Sequence, residues 1–142
     1  SGTPLISDPG YKLVREARKR QIAVKVIPGA TAAIAALSVS GLPTDKFLFL
    51  GYPPEKKSHR LKLFQNLLKI NQLIETTYVF YCAPHKLIAT LLDLQEVLGN
   101  REIVIARELT KIHEEIWHGE ISEALEYFTK VKGEIVVLFH SN

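Results

Sequence analysis

Apolar and polar positions along this chain switch repeatedly between two periods. Short β-branched or aromatic runs alternate with longer stretches at helical spacing. Tyr11, Val14 and Ala17 recur every three residues and predict a helix over 10–20. Its C-terminal end carries Arg15, Arg18, Lys19 and Arg20, where the helix dipole favours cations. Ile22 to Ile27 reads as a short strand ended by Pro28-Gly29, and Ala30 to Ser40 as an alanine-rich helix stopped by Gly41-Leu42-Pro43. Lys46 to Leu50 reads as a strand, and the two prolines of Gly51-Tyr52-Pro53-Pro54 then force a loop because proline cannot continue a ladder. Over 58–70, Leu61, Phe64, Leu67 and Leu68 mark one face of an amphipathic helix. Further strands are predicted over Thr76–Tyr81, Ile103–Ala106, Ile112–His118 and Ile135–Phe139, with helices over His85–Leu98 and Ile121–Phe128.

Strands thus alternate with helices throughout, which predicts an α/β layer architecture with a largely parallel or mixed sheet. At 142 residues and 46% hydrophobic composition the chain has enough apolar mass for a real core, which excludes a disordered chain. A single cysteine, Cys82, excludes a disulfide framework and any multi-thiolate metal site; it reads as a small core or loop residue. The apolar runs fall far short of the roughly 18 residues a membrane span needs, and no signal peptide or lipidation motif is evident. A cytoplasmic location without a membrane partner is the resulting expectation. Ser1–Gly10 reads as a loop between elements, so the chain is expected to start mid-protein.

Charge is uneven. Residues 1–100 hold 13 Lys/Arg against 7 Asp/Glu, whereas 101–142 hold 5 against 8. This points weakly to an anionic partner on the first two-thirds, against random surface variation as the plain alternative. The densest basic run, Lys56-Lys57-Ser58-His59-Arg60-Leu61-Lys62, enters a helix. It suits phosphate neutralisation or, more plainly, a solvated helix start. Four loops at strand ends or helix starts are where open α/β sheets bind ligands: Ser1–Gly10, Pro28–Thr31, Tyr81–His85 and Arg107–Lys111. Pro28-Gly29-Ala30-Thr31 offers a glycine for close approach and free N–H groups at a helix start; a plain strand-to-helix turn is the alternative. His85 reads as a base, an RNA contact or a solvent-facing helix-start residue. His113 and His118, beside Glu114 and Glu115, stand at odd separation on a predicted strand and so face opposite sides, which argues against a metal site. Trp117 reads as a packing residue.

Taken together, Gly2-Thr3-Pro4-Leu5-Ile6-Ser7-Asp8-Pro9-Gly10, Ile27-Pro28-Gly29-Ala30-Thr31-Ala32-Ala33, Ser40-Gly41-Leu42-Pro43, Phe49-Leu50-Gly51-Tyr52-Pro53-Pro54, Ala83-Pro84-His85-Lys86 and Arg107-Glu108-Leu109-Thr110-Lys111 followed by Glu114-Glu115 resemble the tetrapyrrole (corrin/porphyrin) methylase superfamily. The nearer likeness is to its ribosomal RNA branch, the small-subunit rRNA cytidine-2′-O-methyltransferases. The resemblance spans essentially the whole chain. It implies two α/β domains with S-adenosyl-L-methionine folded in the cleft between them. Residues 1–45 are then the tail of the N-terminal domain and 46–142 the C-terminal domain. The first strand and glycine-rich loop of the family are missing, and Ser1 stands where an Asp-Ala usually precedes Gly-Thr-Pro. This chain alone is therefore expected to bind cofactor weakly, to be inactive by itself and to form a homodimer.

By matching position, the resemblance implies that Gly2, Thr3 and Pro4 approach the cofactor's methionine part and that Ala30 and Thr31 line the cleft. Tyr81, Ala83, Pro84 and Leu109 hold its nucleoside. Lys56, Lys57, Arg60, Lys62, Lys86 and Arg107 face ribosomal RNA. Transfer to a ribose hydroxyl needs a proton acceptor, for which Lys111, Glu108 and His85 all stand as candidates. A small-molecule methylase of the same superfamily and a non-catalytic RNA-binding or dimerisation module are the alternatives.

Overall fold

The computed structural model describes residues 2–141. The β-branched and aromatic runs assemble into one five-stranded sheet: β1 (Phe47–Phe49), β2 (Thr77–Cys82), β3 (Glu102–Arg107), β4 (Glu115–Glu120) and β5 (Ile135–His140), in the order β1-β2-β5-β3-β4. β1 pairs parallel to β2; the pairs β2–β5, β5–β3 and β3–β4 are antiparallel. The sheet is therefore mixed, as expected.

Two-residue periodicity sends alternate side chains to opposite faces. One face of β2 and β5 presents Tyr78, Phe80, Val137 and Phe139 to Phe64 and Leu67 of α3 (Lys57–Asn71), Leu91 and Leu94 of α4 (Leu87–Leu98), and Ile121 and Ala124 of α5 (Ile121–Tyr127). The other face, with Val79, Val136 and Leu138, receives Ala33, Ala36 and Leu37 of α2 (Ala32–Val39). The small alanines let α2 lie close on the sheet. A further helix, α1 (Tyr11–Lys19), buries none of its residues. Trp117 packs against the main core and stacks with Tyr127 at 6.1 Å between ring centroids.

Three expectations need correction. Ile22 to Ile27 enters no strand pairing among the described residues; Val26 and Ile27 are each 83% exposed. A β-branched run becomes a strand only beside a neighbour that takes its backbone hydrogen bonds, and none adjoins it among the described residues. Secondly, the strand expected over Ile112–His118 starts at Glu115, because Lys111 N–H bonds to Glu108 O and Glu114 N–H to Lys111 O in a turn. His113 lies in that turn, so the strand-parity argument does not apply to it; no cluster of three metal-ligating side chains occurs among the described residues. Thirdly, the buried face of α3 is Arg60, Phe64 and Leu67, while Leu68 is 41% exposed. Other boundaries move by a residue or two, and His85 falls in a 3-10 turn, Pro84–Lys86, ahead of α4. No helix among the described residues is long and apolar enough to cross a membrane.

Cys82 ends β2 inside the core, and burial pushes its thiol up from 9.0 to about 11 despite the Thr90 hydroxyl and the Arg60 charge, which pull it down. A folded state that resists thiol ionisation is fully favoured below the unfolded value and loses that advantage as pH rises through the folded one. Urea unfolding from pH 8 to 11 should therefore show stability falling between about pH 9 and 11. Cys82→Ala should remove on the order of 2 kcal/mol of that fall.

Candidate functional site

Because β1 is parallel to β2, and β5 is antiparallel to both β2 and β3, the strands β1, β2 and β3 run in one direction. Their C-terminal ends gather at a single edge with the starting ends of β4 and β5. That edge collects Gly51–Pro54, Ala83–Lys86, Arg107–Glu114 and Gly133–Glu134. A cleft of about 510 Å³ opens there, closed on the far side by Thr3, Ile6–Asp8 and Ala30–Ala32.

The far wall is two loops stitched together. Thr3 N–H donates to Ala30 O at 2.9 Å, the Thr3 hydroxyl donates to Gly29 O at 2.6 Å, and Gly29 N–H donates to Thr3 Oγ1 at 3.2 Å. Glycine is required at this crossing: a Cβ on Gly2, whose φ is +93°, would stand 2.4 Å from Ala30 O, and φ in that range is rarely open to other residues. The wall continues into α2, where Thr31 caps the helix by accepting from Ile34 N–H. Ala33 N–H donates to the Tyr81 hydroxyl at 3.3 Å, tying the helix start to the end of β2. The rings of Phe49 and Tyr52 meet Tyr81 edge-on at 4.9 and 5.5 Å.

The near corner is ionic. Lys111 Nζ sits 3.0 Å from both Glu108 Oε1 and Glu134 Oε2, and Glu134 N–H donates to Glu108 Oε1 at 2.8 Å. Glu108 and Thr110 hold φ of +51° and +65°, a left-handed conformation that costs non-glycine residues energy; Glu108 is held by the bonds just named, and Thr110 N–H donates to the Glu114 carboxylate. The Glu134 amide, then Lys111, hold the Glu108 carboxyl below its ordinary range. The two carboxylates, Glu108 foremost, raise the Lys111 ammonium. At neutral pH the corner therefore holds one ammonium and two carboxylates.

The predicted residues divide. Thr3, Ala30, Thr31, Tyr81, Ala83 and Pro84 line the cleft. Gly2 and Pro4 do not: Gly2 acts by permitting the backbone crossing, and Pro4 is exposed. Leu109 packs beside α2 on the sheet face instead of lining the cleft. Glu108 and Lys111 stand at its rim through Glu134. His85 is exposed and borders a separate, smaller cavity. In the basic set, Lys56 and Lys62 are exposed and Lys86 half-buried. Lys57 is paired with Asp93 and Glu96.

Arg60 is 5% exposed and cannot serve as a surface cation. Its guanidinium binds Asp93 Oδ2, with Nε at 2.7 Å, and donates through Nη1 to the carbonyls of Pro54 and Glu55 at 3.0 and 2.9 Å. Arg107 is likewise committed to Glu115 at 2.9 Å and to Lys132 O. Cleft residues that stood in the matching motifs without an assigned role include Asp8, Tyr52 and Glu134. The lone acid on the apolar face of α4, Asp93, was the available sign that a nearby cation turns inward.

The family model of the Tetrapyrrole (Corrin/Porphyrin) Methylases matches residues 1–125, and the chain belongs to that family. It is 46% identical to a ribosomal RNA small subunit methyltransferase I of Rickettsia prowazekii over 100% of this chain and 50% of that protein. For the enzymes of the same name from Thermotoga maritima and Synechocystis sp., identity is 45% and 48% over 97% of this chain, covering 61% and 49% of theirs. The chain spans about half the length of the curated relatives it matches. Solved structures share the fold: the methyltransferase CobJ at TM-score 0.67 and 21% identity, covering 97% of this chain and 61% of that one, and a diphthine synthase at 0.70 and 12%, covering 97% and 57%. Uroporphyrin-III C-methyl transferase from Thermus thermophilus, complexed with S-adenosylhomocysteine, aligns at 0.60 and 14%, covering 96% and 62%.

A Cβ on Gly133, at φ +91°, would stand 2.4 Å from the Glu108 carboxylate. Gly133→Ala should displace Glu108 and release one of the two partners of Lys111. The ammonium pKa of Lys111, followed by NMR titration of its side-chain ¹³Cε resonance, should then move down toward the ordinary lysine value, and Glu108→Gln should shift it the same way.

Proposed function

We propose that the full-length protein carrying this chain is an S-adenosyl-L-methionine-dependent methyltransferase. Its acceptor is the ribose 2′-hydroxyl of a cytidine in small-subunit ribosomal RNA. The observation that carries this reading is the 44–48% identity over 97% or more of the chain to relatives named ribosomal RNA small subunit methyltransferase I. Residues 1–45 are read as the end of a first α/β domain and 46–142 as a second. In that reading the exposed apolar run around Val26 and Ile27 belongs to a surface covered in the complete assembly, proposed to be a homodimer. The place of work is where ribosomes are made, the cytoplasm.

The residues of the cleft fit the cofactor. Its volume of about 510 Å³ suits a nucleoside joined to an amino acid, and it carries two carboxylates, Asp8 and Glu134, for a cationic ligand. Tyr81, Ala83 and Pro84 would hold the nucleoside; Thr3, Ala30 and Thr31 would face the methionine part. When bound, the cofactor supplies an electrophilic methyl group on a sulfonium. The protein's task is then alignment and removal of the hydroxyl proton. Lys111, already protonated between two carboxylates, cannot accept that proton, and Glu108 is spent on Lys111 and the Glu134 amide. His85 makes no hydrogen bond among the described residues and is assigned as the acceptor. Lys56, Lys62 and Lys86 are assigned to the RNA phosphates, with Arg60 and Arg107 removed from that role.

The full-length protein incubated with S-adenosylmethionine and unmodified small subunits should yield 2′-O-methylcytidine, detected by mass spectrometry of nuclease digests. Base methylation only, or none, would overturn the reading. His85→Gln should lower kcat by about 10²-fold or more with cofactor affinity unchanged.

Lys56→Glu, Lys62→Glu and Lys86→Glu combined should weaken RNA binding and flatten its log–log salt dependence by about one unit for each phosphate left without its cation. An unchanged slope over a series of salt concentrations would take these lysines out of the RNA site.

A further inference from the structure

A second cavity, about 150 Å³, lies beside the cleft and shares four residues with it: Tyr52, Tyr81, Cys82 and Ala83. One wall is Tyr52-Pro53-Pro54 and the opposite one is the end of β2; Arg60 and the buried Thr90 form the back, and His85 and Lys86 the mouth. The proline wall is anchored from within by the buried Arg60 guanidinium, which binds the carbonyls of Pro54 and Glu55 while paired with Asp93. Two tyrosines, 5.5 Å apart at 62°, stand where the two spaces meet.

We propose that this cavity seats the base of the acceptor nucleotide, a single pyrimidine turned out of an RNA strand. The inference rests on the reading of the larger cleft as the cofactor site. Three features converge on it. Flat proline and tyrosine faces around a slot are what an unstacked base packs against in single-stranded RNA recognition, and enzymes that modify a nucleotide extrude it into a snug pocket of this kind. The size admits one small ring and excludes a macrocycle or a duplex. The mouth carries Lys86, and the exposed Lys56 begins the helix that follows the proline wall, so the charge complements the phosphates on either side of an extruded nucleotide.

Position argues the same way. Reacting atoms in a near-attack arrangement are about 3–3.5 Å apart, so the acceptor's base must sit one sugar's width from the cofactor, across a shared wall. The larger open groove between Arg107, Tyr127 and Lys132 shares no residue with the cleft and does not meet that condition. The smaller cavity meets it, since Tyr52 and Tyr81 line both spaces, and His85 belongs to the lining of the smaller one.

The test uses the full-length protein and oligocytidylate carrying one 5-iodocytidine, photo-cross-linked and mapped by peptide mass spectrometry, with calorimetric titration of S-adenosylhomocysteine on the same preparation. The expected result is a cross-link on Tyr52 or Tyr81, competed at least tenfold better by oligocytidylate than by oligoadenylate. Tyr52→Leu, an exposed and foldable site, should then reduce total cross-linking at least tenfold. Cross-links confined to residues 107–132, or equal competition by the two oligomers, would overturn the proposal, even where S-adenosylhomocysteine binds and the methylase reading stands. A tyrosine cross-link with pyrimidine preference but no S-adenosylhomocysteine binding would uphold the base site and sink the cofactor reading instead.

Discussion

The central strand of the sheet is the last element of the chain. β5 lies between β2 and β3, and from Ile135 to Phe139 every residue is buried, because α2 covers one face and α3, α4 and α5 cover the other. Until it is in place, β2 has a partner only in the three-residue β1, and β3 only in β4. Most of the pairing that closes the sheet is therefore non-local, and its loop-closure entropy is met late. The same strand sets the functional edge. Its antiparallel insertion makes β2 and β3 run the same way, and its start brings Gly133 and Glu134 to their C-terminal ends.

Within those apolar layers an ion pair is sealed inside. Arg60 and Asp93 are 5% and 3% exposed. Two charges taken from water at such depth are tolerable only when hydrogen bonds satisfy them, and here two backbone carbonyls complete the guanidinium. An apolar pair of the same volume would fill the space between α3 and α4 as well, but it would leave those carbonyls unbonded and the Tyr52–Glu55 loop without an anchor. The pair's structural consequence is the fixed position of a loop with two prolines, which has few other means of attachment. Lys57 adds a partly exposed arm to the same carboxylate.

Alternation of period is enough to read the α/β architecture, the five strands after residue 46 and most of their extents, since each is a short run with β-branched or aromatic residues and Gly or Pro occurs in most of the intervening loops. The run at 22–27 has a similar composition and no strand partner among the described residues, which periodicity cannot register. The clustered loops are legible because glycine and proline mark the ends of strands, but their mutual contact is not. Nothing local in Gly2-Thr3 announces Gly29-Ala30, 26 residues away. Arg60 is misread for a related reason: a cation in a basic run looks solvated until the acid that buries it, 33 residues further on, is known to face it. Arg107 is misread in the same way, its partner Glu115 lying across a β-ladder.

Where the charges end up also separates cations that build the edge from cations that face outward. Cations that pair inward, Arg60 and Arg107, make the edge rigid and contribute little to the long-range field, because each is neutralised within about 3 Å by a carboxylate. Cations left without a partner among the described residues, Lys56 and Lys62, lie outside the cleft and retain their full attraction for a polyanion. Lys111 is intermediate, exposed but shared by two carboxylates, so its charge is more than balanced where it stands. The unpaired lysines and the Glu108–Glu134 corner thus present opposite charge at separate places on the surface. The division follows from which acid the fold brings opposite each cation, and not from the density of basic residues along the chain.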